Sequence, residues 1–280
     1  MDFNGAFKRI KKLKKPGSIA EEVLELYQNI LEFQNTSFER TGIDYGNLPV
    51  SMALERPLLS VFEKNIPAET VSKLVKDFFE FISLFGTSSM REEAKRAAES
   101  SLFGPPQVKE TFTNYIRGIG EVEGILPEFL NLTVLSVAPI LFSPLVGELE
   151  KQLPEDFNGT SCPFCGYRPV TGYFSKEKEG KRFLVCPVCY GEWPSKRDVC
   201  PYCGNEELDE HDYYVVQGEE GVRVDICSKC KRYIKTFDER VFEERGELCV
   251  PLVEDVATPH IDIKMAEEGF EKVAKNLFYF

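Results

Sequence analysis

The sequence is poor in the residues that most often do chemistry at neutral pH. Its 280 residues include two histidines, His211 and His260, and one tryptophan, Trp193. The histidines are far apart and neither sits at ligand spacing from a cysteine pair, so both read as ordinary surface or capping residues. A phosphate loop, a dinucleotide glycine fingerprint, a Gly-x-Ser-x-Gly elbow and a paired-histidine zinc motif are all missing. So is any excess of positive charge: the formal charge is -12 and the pI about 4.9, which disfavours nonspecific nucleic-acid and anionic-membrane partners. The one basic cluster is Lys8, Arg9, Lys11, Lys12, Lys14 and Lys15. No apolar run follows it, so it is not a signal peptide and reads as a solvated, partly frayed terminus.

Charge of either sign is missing from Phe129 to Gly147, nineteen residues, just long enough to span a bilayer. Asn131, Thr133, Ser136 and Ser143 interrupt its apolar character, and Pro139 and Pro144 interrupt its helix. The stretch is expected to be a buried central helix, bent or broken at Pro139, with no stable membrane insertion.

Cysteine, by contrast, is concentrated. Eight of the nine fall between Cys162 and Cys230 as four Cys-x-x-Cys pairs: Cys162/Cys165, Cys186/Cys189, Cys200/Cys203 and Cys227/Cys230. Each pair can place two thiolates on one metal ion. The twenty residues after Cys165 and the twenty-three after Cys203 allow a small hairpin to return the next pair, whereas the ten after Cys189 make a linker. The stretch therefore reads as a tandem repeat with sequential pairing, interleaved pairing being the other arrangement. Cys-Pro-Phe-Cys-Gly opens one unit and Cys-Pro-Tyr-Cys-Gly the other, and apolar strands (Phe183, Leu184, Val185; Val222, Val224, Ile226) enter each second pair. Gly166 and Gly204 stand where the chain must turn back at positive φ. In a reducing compartment such pairs bind metal more often than they form disulfides or redox dithiols. Four thiolates suit zinc or a single iron, and they close the coordination sphere, leaving no position for substrate or activated water. Cys249 has no partner and reads as a small buried apolar residue.

The first half is helical in pattern. Ser18 and Glu21 form a capping box for a helix with Val23, Leu26, Tyr27, Ile30 and Leu31 on its apolar face, and a loop with short helical pieces follows through Pro49 and Pro57. Pro67 opens a second helix whose face runs from Val71 to Phe85, with Gly86 as its stop. A polar surface helix is expected over 89–101, another helix over 108–117, and a final one from about Ile263 to Asn276. Trp193 with Arg197, at the junction of the metal units, could anchor a partner or pack between the ribbons.

At these residues the chain resembles the FdhE family, the formate dehydrogenase accessory proteins. The resemblance rests on Cys162-Pro-x-Cys-Gly with Arg168-Pro-Val, Arg182-Phe-Leu-x-Cys186-x-x-Cys189, Glu192-Trp193, Arg197, Cys200-x-x-Cys203, and Cys227-x-x-Cys230 with Tyr233-x-Lys235. It continues into Asp255-Val-Ala-Thr and Glu267-Glu-Gly-Phe. It implies an all-helical domain over 1–155, two tandem rubredoxin-like or zinc-ribbon metal domains over 160–195 and 196–245, and a C-terminal segment with a helix over 246–280. It further implies two ions, iron or zinc, one held by Cys162, Cys165, Cys186 and Cys189 and the other by Cys200, Cys203, Cys227 and Cys230. The function implied is that of a cytoplasmic maturation chaperone, not an enzyme and without catalytic residues, which binds the molybdenum- or tungsten-containing catalytic subunit of formate dehydrogenase. Two other readings stay open: a nucleic-acid-binding zinc ribbon, and a rubredoxin-like electron-transfer or redox-sensing protein. The ribbon reading meets a near-neutral balance, 13 Lys and Arg against 14 Asp and Glu from Thr160 to Arg240.

Overall fold

The computed structural model describes residues 1–14, 19–119, 123–154 and 156–278. The Pro16-Gly17 break, the Ser18 half of the capping box, Gly120 and Glu155 lie outside them. Helices α1 (Phe3–Leu13), α2 (Ile19–Phe38), α3 (Pro57–Asn65), α4 (Ala68–Phe85), α5 (Ser88–Glu99), α6 (Gln107–Arg117) and α7 (Pro127–Glu150) precede the first cysteine. The apolar face of α4 buries Val71, Leu74, Val75, Phe78, Phe79 and Ile82. Phe85, expected on that face, is exposed and packs on Phe81. Gly86 ends the helix, and its N–H donates to the Ile82 carbonyl. Pro67 is the residue before the first helical turn rather than its first member.

The basic N-terminus is helical through Leu13, where a partly frayed terminus was expected; Lys15 lies outside the described residues. Lysines 8, 11 and 12 do face solvent, but Arg9 on the opposite face of α1 is buried. Its guanidinium donates to both carboxylate oxygens of Glu254 (2.7 and 3.0 Å) and pairs with Glu247 (3.2 Å). A buried carboxylate fixes a helix that its own lysines would not hold.

Helix α7 is the central element, apolar on every side and 89% buried through its most hydrophobic window. It runs unbroken through Pro139 and Pro144. Each proline lacks the N–H that would bond four residues back, which frees the carbonyls of Leu135 and Ile140. Gln34 Nε2 donates to the Leu135 (3.3 Å) and Ser136 (3.0 Å) carbonyls, and the Tyr45 hydroxyl donates to that of Ile140 (3.0 Å). Side chains distant in sequence thus stand in for the missing donors, and the helix, expected to be bent or broken at Pro139, is not broken there.

After α7 the chain forms one seven-stranded sheet from β1 (Thr171–Phe174), β2 (Arg182–Val185), β3 (Glu192–Pro194), β4 (His211–Val215), β5 (Val222–Cys227), β6 (Arg232–Asp238) and β7 (Glu271–Lys272). The order is β3-β2-β1-β6-β5-β4, with β7 beside β6. The two cysteine units are each an antiparallel meander, joined by parallel pairing of β1 with β6 from Thr171↔Lys235 to Phe174↔Asp238. The core packed around α7 extends into the first unit through Phe164, Leu184, Val188 and Trp193.

The C-terminal segment carries α8 (Glu239–Glu244), α9 (Pro251–Ala257) and α10 (Pro259–Glu267). The helix expected to reach Asn276 ends at Glu267, because Gly269 turns the chain at φ +80° and β7 then joins the sheet. What holds this segment is buried and ionic: Lys272 Nζ lies 2.6 Å from Asp255 Oδ1 and 3.3 Å from Asp262, and Lys235 Nζ lies 3.1 Å from Asp255 and 2.9 Å from Asp262. Tyr233 donates to Asp262 (2.7 Å), Asn276 donates to Asp255 (2.8 Å), and Lys235 also donates to Thr258. Two cations meet two anions, so the group is neutral inside the fold.

The repair of α7 can be tested by thermal melting. Tyr45→Phe removes one donor and should cost about 1 kcal/mol. Gln34→Ala leaves the Leu135 carbonyl without a donor and the Tyr190 hydroxyl without its acceptor, and should cost about 1–3 kcal/mol. A Gln34→Ala protein as stable as the parent would show that α7 does not depend on these bonds.

Candidate metal centres

The four Cys-x-x-Cys pairs share one backbone design. In each, the carbonyl of the first cysteine accepts an N–H from the residue four positions on: Gly166 (2.9 Å), Tyr190 (3.0 Å), Gly204 (3.0 Å) and Lys231 (2.9 Å). All four receiving positions have positive φ, +85°, +60°, +69° and +55° respectively. The glycines at two of them were legible in the sequence. Tyr190 and Lys231 take the same conformation despite a Cβ, which only the repeated spacing could have suggested. The N–H of Cys162, Cys186 and Cys200 in turn donates to the carbonyl five residues on (2.8, 3.0 and 3.0 Å).

Each turn presents both sulfurs to one side, and the pairs meet in sequence order. Cys162, Cys165, Cys186 and Cys189 form one cluster and Cys200, Cys203, Cys227 and Cys230 the other, with the four sulfurs of each within 4.8 Å of one another. Sγ–Sγ separations are 3.5 Å for Cys162–Cys189 and for Cys165–Cys186, 3.6 Å for Cys200–Cys230 and 3.9 Å for Cys203–Cys227. All eight cysteines are free thiols. Four sulfurs around a cation at about 2.3 Å stand about 3.8 Å apart, so both clusters fit a tetrahedral zinc or iron ion. Cys249 belongs to neither cluster and lies half-buried against the sheet.

The two centres differ in surroundings. All four thiols of the first are buried, and Phe164 within its first turn accepts the Leu58 N–H at the start of α3 (3.0 Å). Gly191 is obligatory there: a Cβ would stand 2.4 Å from the Phe164 ring and 3.2 Å from Cys189 Sγ. The Tyr190 hydroxyl donates to Gln34 Oε1 (2.7 Å), so the side chain that repairs α7 also holds the second turn of this centre. In the second centre Cys203 is exposed and Cys230 partly so.

Burial pushes the thiols of Cys165, Cys186 and Cys189 up, while hydrogen bonds from those three overcome burial and hold Cys162 well down. Burial also pushes Cys200 up to about 11 and Cys230 higher still. Hydrogen bonds hold Cys203 down, so without a cation the first cluster keeps most of its protons at neutral pH and the second keeps those of Cys200 and Cys230. A divalent ion would displace them and neutralise the thiolates in their place.

Trp193, a candidate partner anchor by sequence, is wholly buried; its indole N–H donates to the Gly159 carbonyl (2.9 Å) and its ring packs with the first centre and the helical core. It presents no surface. Arg197 is exposed, lies over the Phe174 ring at 4.4 Å and donates to the Gly180 carbonyl. Sequence reasoning passed over Arg182, which is buried and pins the linker between the centres by donating to Ser195 Oγ (3.0 Å) and to the carbonyls of Lys196 and Val199 (2.9 Å). His211 lies directly across from Cys227 and contacts the Asn205 carbonyl, and His260 pairs with Glu219; neither belongs to a sulfur cluster.

The family model for the FdhE central domain matches residues 161–197, and that for the FdhE C-terminal domain matches residues 199–279. Between them they take in both clusters. The chain thus carries the FdhE central and C-terminal domains. It is 27% identical over 279 residues to an FdhE homolog of Aquifex aeolicus, covering 97% of this chain and 93% of that protein. An FdhE homolog of Pectobacterium atrosepticum is 32% identical over 121 residues, 42% of this chain and 37% of that one. The crystal structure of the FdhE protein from Pseudomonas aeruginosa has the same fold, with a TM-score of 0.69 at 20% identity over 98% of this chain and 94% of that one. The helical region, the sheet with its two four-cysteine clusters and the C-terminal helices are thus the architecture of FdhE proteins.

Elemental analysis of protein purified without oxygen should find two ions per chain. Cys203→Ser should lose one ion with little change in melting temperature, whereas Cys162→Ser, inside the core, should lose one and melt markedly lower. The pH dependence should reverse with loading. Metal-free protein should lose stability as pH rises past about 8.5, where unfolded thiols release protons that most of the folded ones retain. Zinc-loaded protein should lose stability as pH falls, because protons compete for the thiolates. Thermal melts from mildly acid to mildly alkaline pH check both slopes; equal slopes would show that the clusters hold no cation.

Proposed function

We propose that this protein is a non-enzymatic accessory protein of formate dehydrogenase, acting in the cytoplasm. In this reading it binds the molybdenum- or tungsten-containing catalytic subunit while that subunit matures. One observation carries the reading: each cluster offers four sulfurs to one ion, so a bound cation is saturated and has no position for substrate or water. Such centres hold a surface rigid rather than perform a reaction. The FdhE central and C-terminal domains supply the enzyme served. The burial of α7 inside the protein supports a partner met in solution, without insertion into a bilayer. Zinc and iron both suit the donor set.

A second reading, electron transfer or oxidation sensing through iron, draws on the exposure of Cys203. Iron held by four thiolates absorbs visible light and bleaches on reduction, so colour decides between it and a zinc scaffold.

Tagged protein should recover the formate dehydrogenase catalytic subunit from cells that express both, and deletion of its gene should abolish formate oxidation while leaving the subunit synthesised. Full activity in the deletion strain would remove the reading.

A further inference from the structure

We propose that the free edge of the sheet, strand β4 with the acidic loops at its two ends, docks an extended basic segment of a partner protein. The partner's identity rests on the accessory role above; the chemistry of the surface does not. Among the described residues strand β4 pairs only with β5 and ends the sheet. Ser228 N–H donates to the Glu210 carbonyl (2.8 Å), so alternate residues from Glu210 bond toward β5 and the backbone groups of His211, Tyr213 and Val215 point away from the sheet. Natural edge strands are commonly blunted by lysine or proline, and β4 has neither. Two outward groups are covered locally: the His211 N–H donates to the Leu208 carbonyl, and Asp212 accepts the Tyr213 N–H (2.7 Å).

Apolar side chains surround this edge in the open. Leu208 is 72%, Tyr213 51%, Tyr214 44% and Val215 73% exposed. Residues 204–222 contain no Lys or Arg but carry seven carboxylates: Glu206, Glu207, Asp209 and Glu210 before the strand, Asp212 within it, Glu219 and Glu220 after it. Among the described residues two pair with a basic side chain, Glu219 with His260 (2.7 Å) and Glu206 with Lys196 at a loose 3.9 Å. The charge selects the occupant. A second copy would bring the same carboxylates against these, and nucleic acid is repelled for the same reason. An extended segment that alternates lysine or arginine with apolar residues satisfies the outward backbone groups, the exposed side chains and the charge together.

The test uses the full-length, zinc-loaded protein and a labelled peptide of alternating lysine and valine, followed by fluorescence anisotropy, with a glutamate–valine peptide as control. The basic peptide should bind, weaken with added salt, and outcompete the acidic one. Val215→Pro removes only an outward N–H and should weaken binding about tenfold. The double variant Glu207→Lys/Glu210→Lys, which leaves the backbone untouched, should weaken it at least as much. No binding of the basic peptide, or equal binding by parent and both variants, overturns the proposal. The two readings fail separately. If the parent recovers the formate dehydrogenase subunit and both variants recover it equally, the docking edge is wrong and the accessory role stands; if the peptide binds as expected but no subunit is recovered, the edge stands and the role falls.

Discussion

Four sulfur atoms brought together inside an apolar core are the constraint on which this fold depends. Cys162, Cys165, Cys186 and Cys189 are wholly buried and belong to the same packed cluster as the central helix. A buried thiolate without a counter-charge is costly, so the packing around the first centre and the cation it would hold support each other. The surrounding contacts follow from this. Leu58 at the start of α3, Gln34 on α2 and Tyr115 on α6 all bond to residues of the first unit, the last through the Tyr167 hydroxyl (3.0 Å). The helical region and the first centre therefore form one hydrophobic body.

The second centre is built by the same turns but in a thinner setting. Its hairpin lies at the far side of the sheet, and its sulfurs come to the surface at Cys203. The join between the units is the parallel β1–β6 pairing, together with Arg182, whose guanidinium holds the linker carbonyls. Parallel pairing of two meanders turns a tandem repeat into one continuous sheet, so the centres keep a fixed relation.

Much of this was legible in the residues, because metal-binding turns are local. The spacing of Cys-x-x-Cys puts two sulfurs on each turn, the gap lengths favour sequential over interleaved meeting of the turns, and Gly166 and Gly204 mark the reversal. The apolar period of α4 and the burial of α7 were legible for the same reason. What the sequence hid is what two distant segments do for each other. The carbonyls freed by Pro139 and Pro144 are met by Gln34 and Tyr45, so a local rule for breaking a helix yields to tertiary bonding. Lys235 and Lys272 look like surface residues until Asp255 and Asp262 neutralise them in the interior. Trp193 looked available because indole is common at interfaces, but the first centre needs its bulk.

The pairing of Arg9 with Glu254 reaches across 245 positions of the chain. A ribosome releases the first helix long before it has made the carboxylate that the guanidinium needs. Until then Ala6 and Ile10 of α1 can pack on Leu24, Tyr27 and Leu31 of α2, but the guanidinium between them and α9 has no counter-charge. Closure over α1 thereby waits on synthesis of α9, and a nascent fragment that stops before it lacks this clasp.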